Sequence, residues 1–267
     1  LCYDVEGDHE RYTEWVVGSV RCVYETGPIA HRGLHCAADG RAENSPAALN
    51  AAIAADYGIE IDVQLSSDAT AMVFHDYHLG RLTSQTGALA LHSAQALSEI
   101  ILTGGQETIP SLEQTLALVA GRVPLLIEIK DQDGNMGGDV GPLEEAVAAA
   151  LKSYDGDVAV MSFNPNAIAV FAALSPETPV GLVTDRFTAT DWPTLSSNTR
   201  EHLSEVSDFD RVGACFISHN HAQLDDQVVT DLKAQGVPIL CWTVQSRADA
   251  VKAQTIADNI TFDGYLA

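Results

Sequence analysis

Short runs of Ile, Val and Leu, each closed by charged or imidazole side chains, recur along the chain. "PIAH" (28–31), "GIEIDV" (58–63), "AMVFH" (71–75) and "PLLIEIK" (124–130) are the clearest. Isoleucine and valine crowd them, as in strands buried on both faces. The full pattern predicts strands near 28–31, 58–64, 70–75, 124–130, 157–162, 179–183, 213–218 and 237–243, which gives the barrel number of eight. Helical patterns alternate with them, and that alternation argues for a parallel sheet. "SPAALNAAIAAD" has Ser45 as cap and Pro46 in the first turn. "SLEQTLALVAG" runs from a cap at Ser111 to a stop at Gly121, and "GPLEEAVAAALKSY" starts at Gly141.

Two irregularities modify this picture. Only "SSDA" (66–69) separates the second and third strands, too short for a crossover helix, so a distorted barrel is expected there. The stretch 76–110, by contrast, is long and carries the Gly-rich "LTGGQET". It reads as a small insertion after the third strand, lying over the C-terminal mouth of the barrel, where this fold carries function. The fold expected is a distorted TIM-type (β/α)₈ barrel. No linker or composition break divides the 267 residues, so one domain is expected, with 1–27 an N-terminal segment of uncertain form.

The residues that close the strands carry the chemistry. Side chains two apart on a strand point the same way, so Glu60 projects with Asp62, and Glu128 with Lys130. Two aligned carboxylates and a third from another strand make an oxygen-rich site suited to Mg²⁺ or Ca²⁺ rather than zinc. Lys130 would be expelled by such a cation and would instead pair with a phosphate oxygen, for which Arg32 offers a planar fork. His31 and His75 add two imidazoles. A strand-end carboxylate or lone His is ordinarily structural, and it is the joint occurrence of four such groups that points to a cation and a phosphate held side by side. His219 and His221 in "SHNH" have a spacing open to a metal, but no third ligand accompanies them, and a solvated loop is the better reading.

Charge narrows the partners. The 14 basic residues stand against 37 acidic ones, a net charge of −23, which disfavours nucleic acid and anionic membranes. No apolar stretch approaches the ~20 residues of a membrane span. The partner expected is a small phosphate-bearing molecule, with no stable membrane association. Five cysteines (Cys2, Cys22, Cys36, Cys215, Cys241) form no CxxC pair, which argues for reduced thiols and a cytoplasmic location. A Cys2–Cys22 bridge and a removed leader before Leu1 stay open.

"AHRG", "AENS", "GIEIDVQL", "MVFHD", "TIPSLEQTL", "LLIEIK", "CWTV" and "ADNITFDG", in that order from Ile29 to Gly264, resemble the glycerophosphodiester phosphodiesterase family. The resemblance implies a TIM-type barrel with one divalent cation on Glu60, Asp62 and Glu128. It implies His31 and His75 as the acid/base pair, and Arg32 and Lys130 on the phosphate. Trp242 would be a pocket wall, and Asn44, with its neighbour Glu43, would lie at the substrate site. The reaction implied is metal-dependent hydrolysis of a glycerophosphodiester to sn-glycerol 3-phosphate and an alcohol. The alternatives are a phospholipase D-like activity on lysophospholipids and a non-catalytic barrel that binds a phosphorylated ligand. Two departures, the long segment "LHCAADGRA" after Gly33 and Gln245 where the family more often has Asn, bear on substrate preference.

Overall fold

The computed structural model describes residues 27–267, so the Cys2–Cys22 pair lies outside the described residues. Eight parallel strands close into a ring: β1 (Ile29–Ala30), β2 (Gly58–Leu65), β4 (Leu125–Ile129), β5 (Val158–Ser162), β6 (Val180–Thr184), β7 (Phe216–Asn220), β8 (Ile239–Val244) and β9 (Asn259–Phe262). Closure runs through β1, whose Ile29 is in register with Gly58 of β2 on one side and Thr261 of β9 on the other. Seven ring connections carry a helix: α1 (Pro46–Ala54), α3 (Leu112–Val119), α4 (Pro142–Leu151), α5 (Pro165–Leu174), α6 (Ser197–Ser204), α7 (Gln227–Ala234) and α8 (Arg247–Ala253). The barrel expectation holds, with one exchange of strands. The expected third strand is β3 (Ala71–Val73), and it lies outside the ring, antiparallel to the upper end of β2 with Val73 opposite Val63. Four residues permit only a hairpin there. The eighth ring strand is β9 instead, in the segment "NITF".

Local sequence explains the helix starts. The Ser45 hydroxyl accepts from the Ala48 amide at 3.2 Å with Pro46 in the first turn, and Ser111 forms a reciprocal capping box with Gln114. Helix α3 ends at Ala120, in the left-handed region at φ 48°, just before Gly121.

Strand parity divides the apolar residues into two cores. Ile59, Ile61, Val63, Ile127 and Ile129 face outward and pack with Leu116, Val147, Ile168 and Phe171 of the helices. Ile29, Leu126, Ala159, Met161, Val183, Phe216 and Leu240 fill the barrel interior as an apolar plug. Gly181 is what lets Phe216 lie flat inside the ring, since a Cβ there would stand 2.4–2.6 Å from three of the ring carbons. Gly181→Ala is therefore expected to overpack the plug by about 1–3 kcal/mol, lowering Tm by roughly 2–12 °C. A calorimetric scan checks this; an unchanged Tm would mean that Phe216 has free room to move.

The insertion 76–110 has a small core of its own, in which Leu79, Leu82, Leu89, Leu97 and Leu102 pack on Met72 and Phe74. It contains the one-turn helix α2 (Ala94–Leu97). Cys36, Cys215 and Cys241 are free thiols, and burial pushes the last two up to about 11 and about 12. Among the described residues, no helix is long and apolar enough to cross a membrane.

Candidate active site

Above the apolar plug the inward-facing positions turn ionic. Asp62 of β2 is the register partner of Glu128 on β4, so the pleat places both carboxylates side by side inside the ring. Glu60 lies one inward position lower on β2. Carboxylate oxygens of the three lie within 4.8 Å of one another, and all three residues are buried. Lys130 projects on the same face, as its spacing from Glu128 predicts. Its Nζ sits 2.7 Å from Asp62 Oδ1 and 2.6 Å from Glu128 Oε1.

The turn after β1 delivers Arg32. Arg32 and Gly33 both take left-handed backbone, φ 55° and 75°, and a Cβ on Gly33 would stand 2.9 Å from the carbonyl carbon of Ala48 in α1. The tight reversal points the Arg32 amide at Glu60 Oε2 (3.0 Å), while its guanidinium reaches Glu43 Oε1 at 2.7 Å and Asp62 Oδ2 at 3.3 Å. Non-glycine strain of this kind concentrates at functional sites. Asn44, 1% exposed, donates to Asp62 Oδ2 (2.8 Å) and accepts from the Asp62 amide (3.4 Å). This corrects its expected substrate contact: Asn44 grips the carboxylate from behind.

The two histidines flank the carboxylates. His31 follows β1 at the level of Glu60, with Nε2 4.0 Å from Glu60 Oε2 and Nδ1 3.1 Å from Asp263 Oδ2. His75 follows β3, which descends along β2 and so returns the imidazole to the mouth. Its Nδ1 is 2.6 Å from Asp76 Oδ1, and Arg81 of the insertion ties Asp76 (2.7 Å) to Glu43 (2.8 Å). Asp263, Arg81 and His35, whose Nε2 is 3.9 Å from Asp263 Oδ2, were not singled out from the sequence. Asp263 had a signal, since it lies inside the quoted motif "ADNITFDG". His35 lies in the long segment "LHCAADGRA", and Arg81 had no signal.

Aromatic rings line the far side. Trp242 donates from Nε1 to the Ser218 carbonyl at 3.0 Å and meets Phe163 edge to face at 5.4 Å; Phe163 also touches Trp192 at 5.0 Å. A cavity of about 390 Å³ opens between Phe163 and Trp192 on one side and Tyr77, Glu128 and Lys130 on the other. His219, expected in a solvated loop, is instead on β7, buried outside the ring against Thr184 Oγ1 at 2.8 Å. No third metal ligand joins His219 and His221 among the described residues.

Electrostatics show what this cluster lacks. Burial, then the Asp62 and Glu128 charges, hold the Glu60 carboxyl well above the usual carboxylate range. Burial opposes ionisation of Asp62 too, but Lys130 foremost overrides it and holds Asp62 well below that range. Burial likewise raises Glu128. Like charges ~4 Å apart repel by about 4 kcal/mol at an effective dielectric of ~20; Lys130 and Arg32 offset part of this, and the remaining excess of one carboxylate favours a held proton or an added cation. Oxygen-only donors in a buried, strand-fixed group fit a hard divalent cation.

Comparison with known proteins agrees with this geometry. The model of the "Glycerophosphoryl diester phosphodiesterase family" matches residues 31–264. YhdW of Bacillus subtilis (strain 168) is 28% identical over 248 residues, 88% of this chain and 93% of that protein. The glycerophosphodiester phosphodiesterase of Caldanaerobacter subterraneus subsp. tengcongensis is 28% identical over 234 residues, covering 83% and 86%. Among solved structures, an Oleispira antarctica phosphodiesterase in complex with the product sn-glycerol-3-phosphate superposes with a TM-score of 0.70 at 26% identity, over 89% of this chain and 92% of that one. The matched span starts at His31 and ends just past Asp263, and so takes in every ionic group at the barrel mouth. With fold, site and sequence agreeing over that span, the chain belongs to the glycerophosphoryl diester phosphodiesterase family.

Proposed function

We propose that the chain hydrolyses glycerophosphodiesters to sn-glycerol 3-phosphate and an alcohol, using one divalent cation, Mg²⁺ or Ca²⁺, on Glu60, Asp62 and Glu128. The observation that carries this is the convergence of three buried carboxylates, two cationic side chains and two imidazoles at one barrel mouth. Bound there, the cation supplies Lewis-acid polarisation of a phosphoryl oxygen and lowers the pKa of a hydroxyl it holds. Asn44 fixes Asp62 for that task.

Arg32 and Lys130 neutralise the remaining phosphoryl oxygens. They matter more than usual here, because a net charge of −23 repels an anionic diester over the rest of the surface. Burial, then Lys130, lowers the His75 imidazole to about 4, so it is neutral at pH 7 and free to accept a proton. Asp76 on Nδ1 leaves Nε2 as the accepting atom. His75 is accordingly the base that takes the proton of the attacking hydroxyl. His31, held through Nδ1 by Asp263, is the acid that donates to the leaving oxygen. The attacking hydroxyl is either the glycerol 2-hydroxyl, giving a cyclic phosphate that water then opens, or water itself. The cavity bounded by Tyr77, Phe163 and Trp192 receives the leaving alcohol, with Trp242 backing its wall.

A second reading, a lysophospholipid substrate, draws on Tyr77, Leu91 and Ile101, three large apolar side chains that the insertion exposes. The test is release of glycerol 3-phosphate from glycerophosphocholine and glycerophosphoethanolamine. EDTA is expected to abolish it, and added Mg²⁺ or Ca²⁺ to restore it. Turnover that persists in EDTA sinks the cation site. Silence on both diesters, with cleavage of lysophosphatidylcholine micelles, moves the substrate to the lipid.

A further inference from the structure

Beside the three carboxylates lies a second group of potential ligands with different chemistry. The chain reverses through the left-handed pair Arg32 and Gly33, and the His35 amide then closes a tight turn onto the Gly33 carbonyl at 2.9 Å. That reversal brings His35 back over the end of β9, next to His31 and Asp263. His31 Nδ1 is 3.1 Å and His35 Nε2 3.9 Å from the same oxygen, Asp263 Oδ2, and the donor atoms of all three lie within 4.8 Å of one another. Asp263 Oδ1 is occupied by Gln245 Nε2 at 3.0 Å, which fixes the carboxylate with Oδ2 turned to the imidazoles.

A tetrahedral zinc with bonds of ~2.0–2.1 Å has ligand atoms roughly 3.3 Å apart. The two separations from Asp263 Oδ2, 3.1 and 3.9 Å, bracket that edge. Two imidazoles and one carboxylate are the donor set of zinc-class ions, as an oxygen-only trio is of Mg²⁺ and Ca²⁺. A fourth, open position has somewhere to face, because a cavity of about 480 Å³ is lined by His35, Asp263 and Cys36 and leads to solvent. The bland alternative is a simple His31–Asp263 pair that orients an imidazole. It gives His35 no task, since the His35 ring makes no hydrogen bond among the described residues.

We propose that His31 Nδ1, His35 Nε2 and Asp263 Oδ2 form a second metal site, for an ion of the zinc class, whose occupation switches the hydrolase off. The ion takes the Nδ1 position from the proton that His31 shares with Asp263, so the imidazole no longer cycles as an acid. Only this inhibitory consequence rests on the proposed role of His31; binding itself does not.

The experiment uses the whole chain in excess Mg²⁺, which fills the oxygen-only site with a hard ion. Co²⁺ is titrated while its visible d–d absorption is followed, Zn²⁺ is added in competition, and glycerophosphocholine turnover is read in parallel. The wild type is expected to bind one Co²⁺ with tetrahedral-type bands that Zn²⁺ displaces, and to lose turnover as Zn²⁺ binds. His35→Ala and His35→Gln are expected to keep basal turnover, lose the bands and tolerate at least roughly 10–100-fold more Zn²⁺. Equal Co²⁺ spectra in the wild type and both variants would overturn the site. So would equal Zn²⁺ inhibition of all three, which would place the ion on Glu60, Asp62 and Glu128. If no diester is turned over at all, the hydrolase reading fails separately, while the Co²⁺ bands and their dependence on His35 still decide the metal site.

Discussion

Glu60→Gln is expected to abolish turnover and, in cation-free buffer, to raise Tm. Glu60 is the deepest of three carboxylates whose oxygens lie within 4.8 Å of one another, and burial with two like charges holds its carboxyl well above the usual range. The neutral amide keeps an oxygen to accept the Arg32 amide, now 3.0 Å from Oε2, so the reversal after β1 survives. What is lost is one charge in the cation's ligand set. Turnover should fall by at least roughly 10²–10³-fold, the scale of one lost electrostatic stabiliser. The relief of repulsion should stabilise the cation-free fold by about 0.5–2 kcal/mol, on the order of 1–8 °C. Linkage adds a pH signature. The folded pKa of Glu60 is raised above its unfolded value, so the folded chain binds more protons between the two, and stability falls as pH rises through that window. The cation-free wild type should therefore gain stability from pH 7 towards pH 5, and Glu60→Gln should gain less. Saturating Mg²⁺ or Ca²⁺ should raise the wild-type Tm and leave the variant nearly unmoved. A variant with wild-type turnover, or with a lower cation-free Tm, would remove Glu60 from the ligand set.

The groups on β2 and β4 were legible in the sequence for a physical reason. E-x-D and E-x-K on neighbouring parallel strands put their side chains on one face, and nothing but register had to be added to bring Asp62 beside Glu128. The closing strand was less legible. "NITF" is four residues long and lacks the Ile/Val density of "GIEIDV", so β9 did not stand out, and β3 took its place in the count of eight. Pattern alone does not separate a parallel from an antiparallel strand, although the four-residue gap at 66–69 had already argued against a crossover. Asp263, Arg81 and His35 escaped because tertiary packing places them. Arg81 reaches the site only by spanning Asp76 and Glu43, 38 positions away from the latter. Lys130 was placed beside Glu128 by the same two-residue period, and what the sequence did not reveal is that Asp62 and Glu128 together hold Nζ at 2.7 and 2.6 Å. Asn44 was read as a substrate contact although its burial serves Asp62.

His75→Ala should lower kcat/KM for glycerophosphocholine by roughly 10²–10⁴-fold, and His31→Ala by the same order. Because both act on one proton path, the double variant should lose far less than the product of the two. Direction within the pair is readable from pH. The His75 imidazole is lowered to about 4, by burial first and then by Lys130, and a cation on Asp62 pushes it the same way. A base is disabled by protonation, so the limb that His75 imposes lies near or below pH 4. His75 should therefore impose no fall in kcat/KM as pH drops from 7 through the ordinary histidine range near 6.5. If His75 were the acid, its protonated form would be scarce at pH 7 and activity would climb steeply as pH fell. A rise that continues down to about pH 4 would therefore exchange the two roles, and a fall centred near 6.5 would mean that His75 is not held neutral at all. Wild-type kinetics followed down to about pH 4 separate the three cases, before any substitution disturbs the Asp76, Glu43 and Arg81 network on which the imidazole rests.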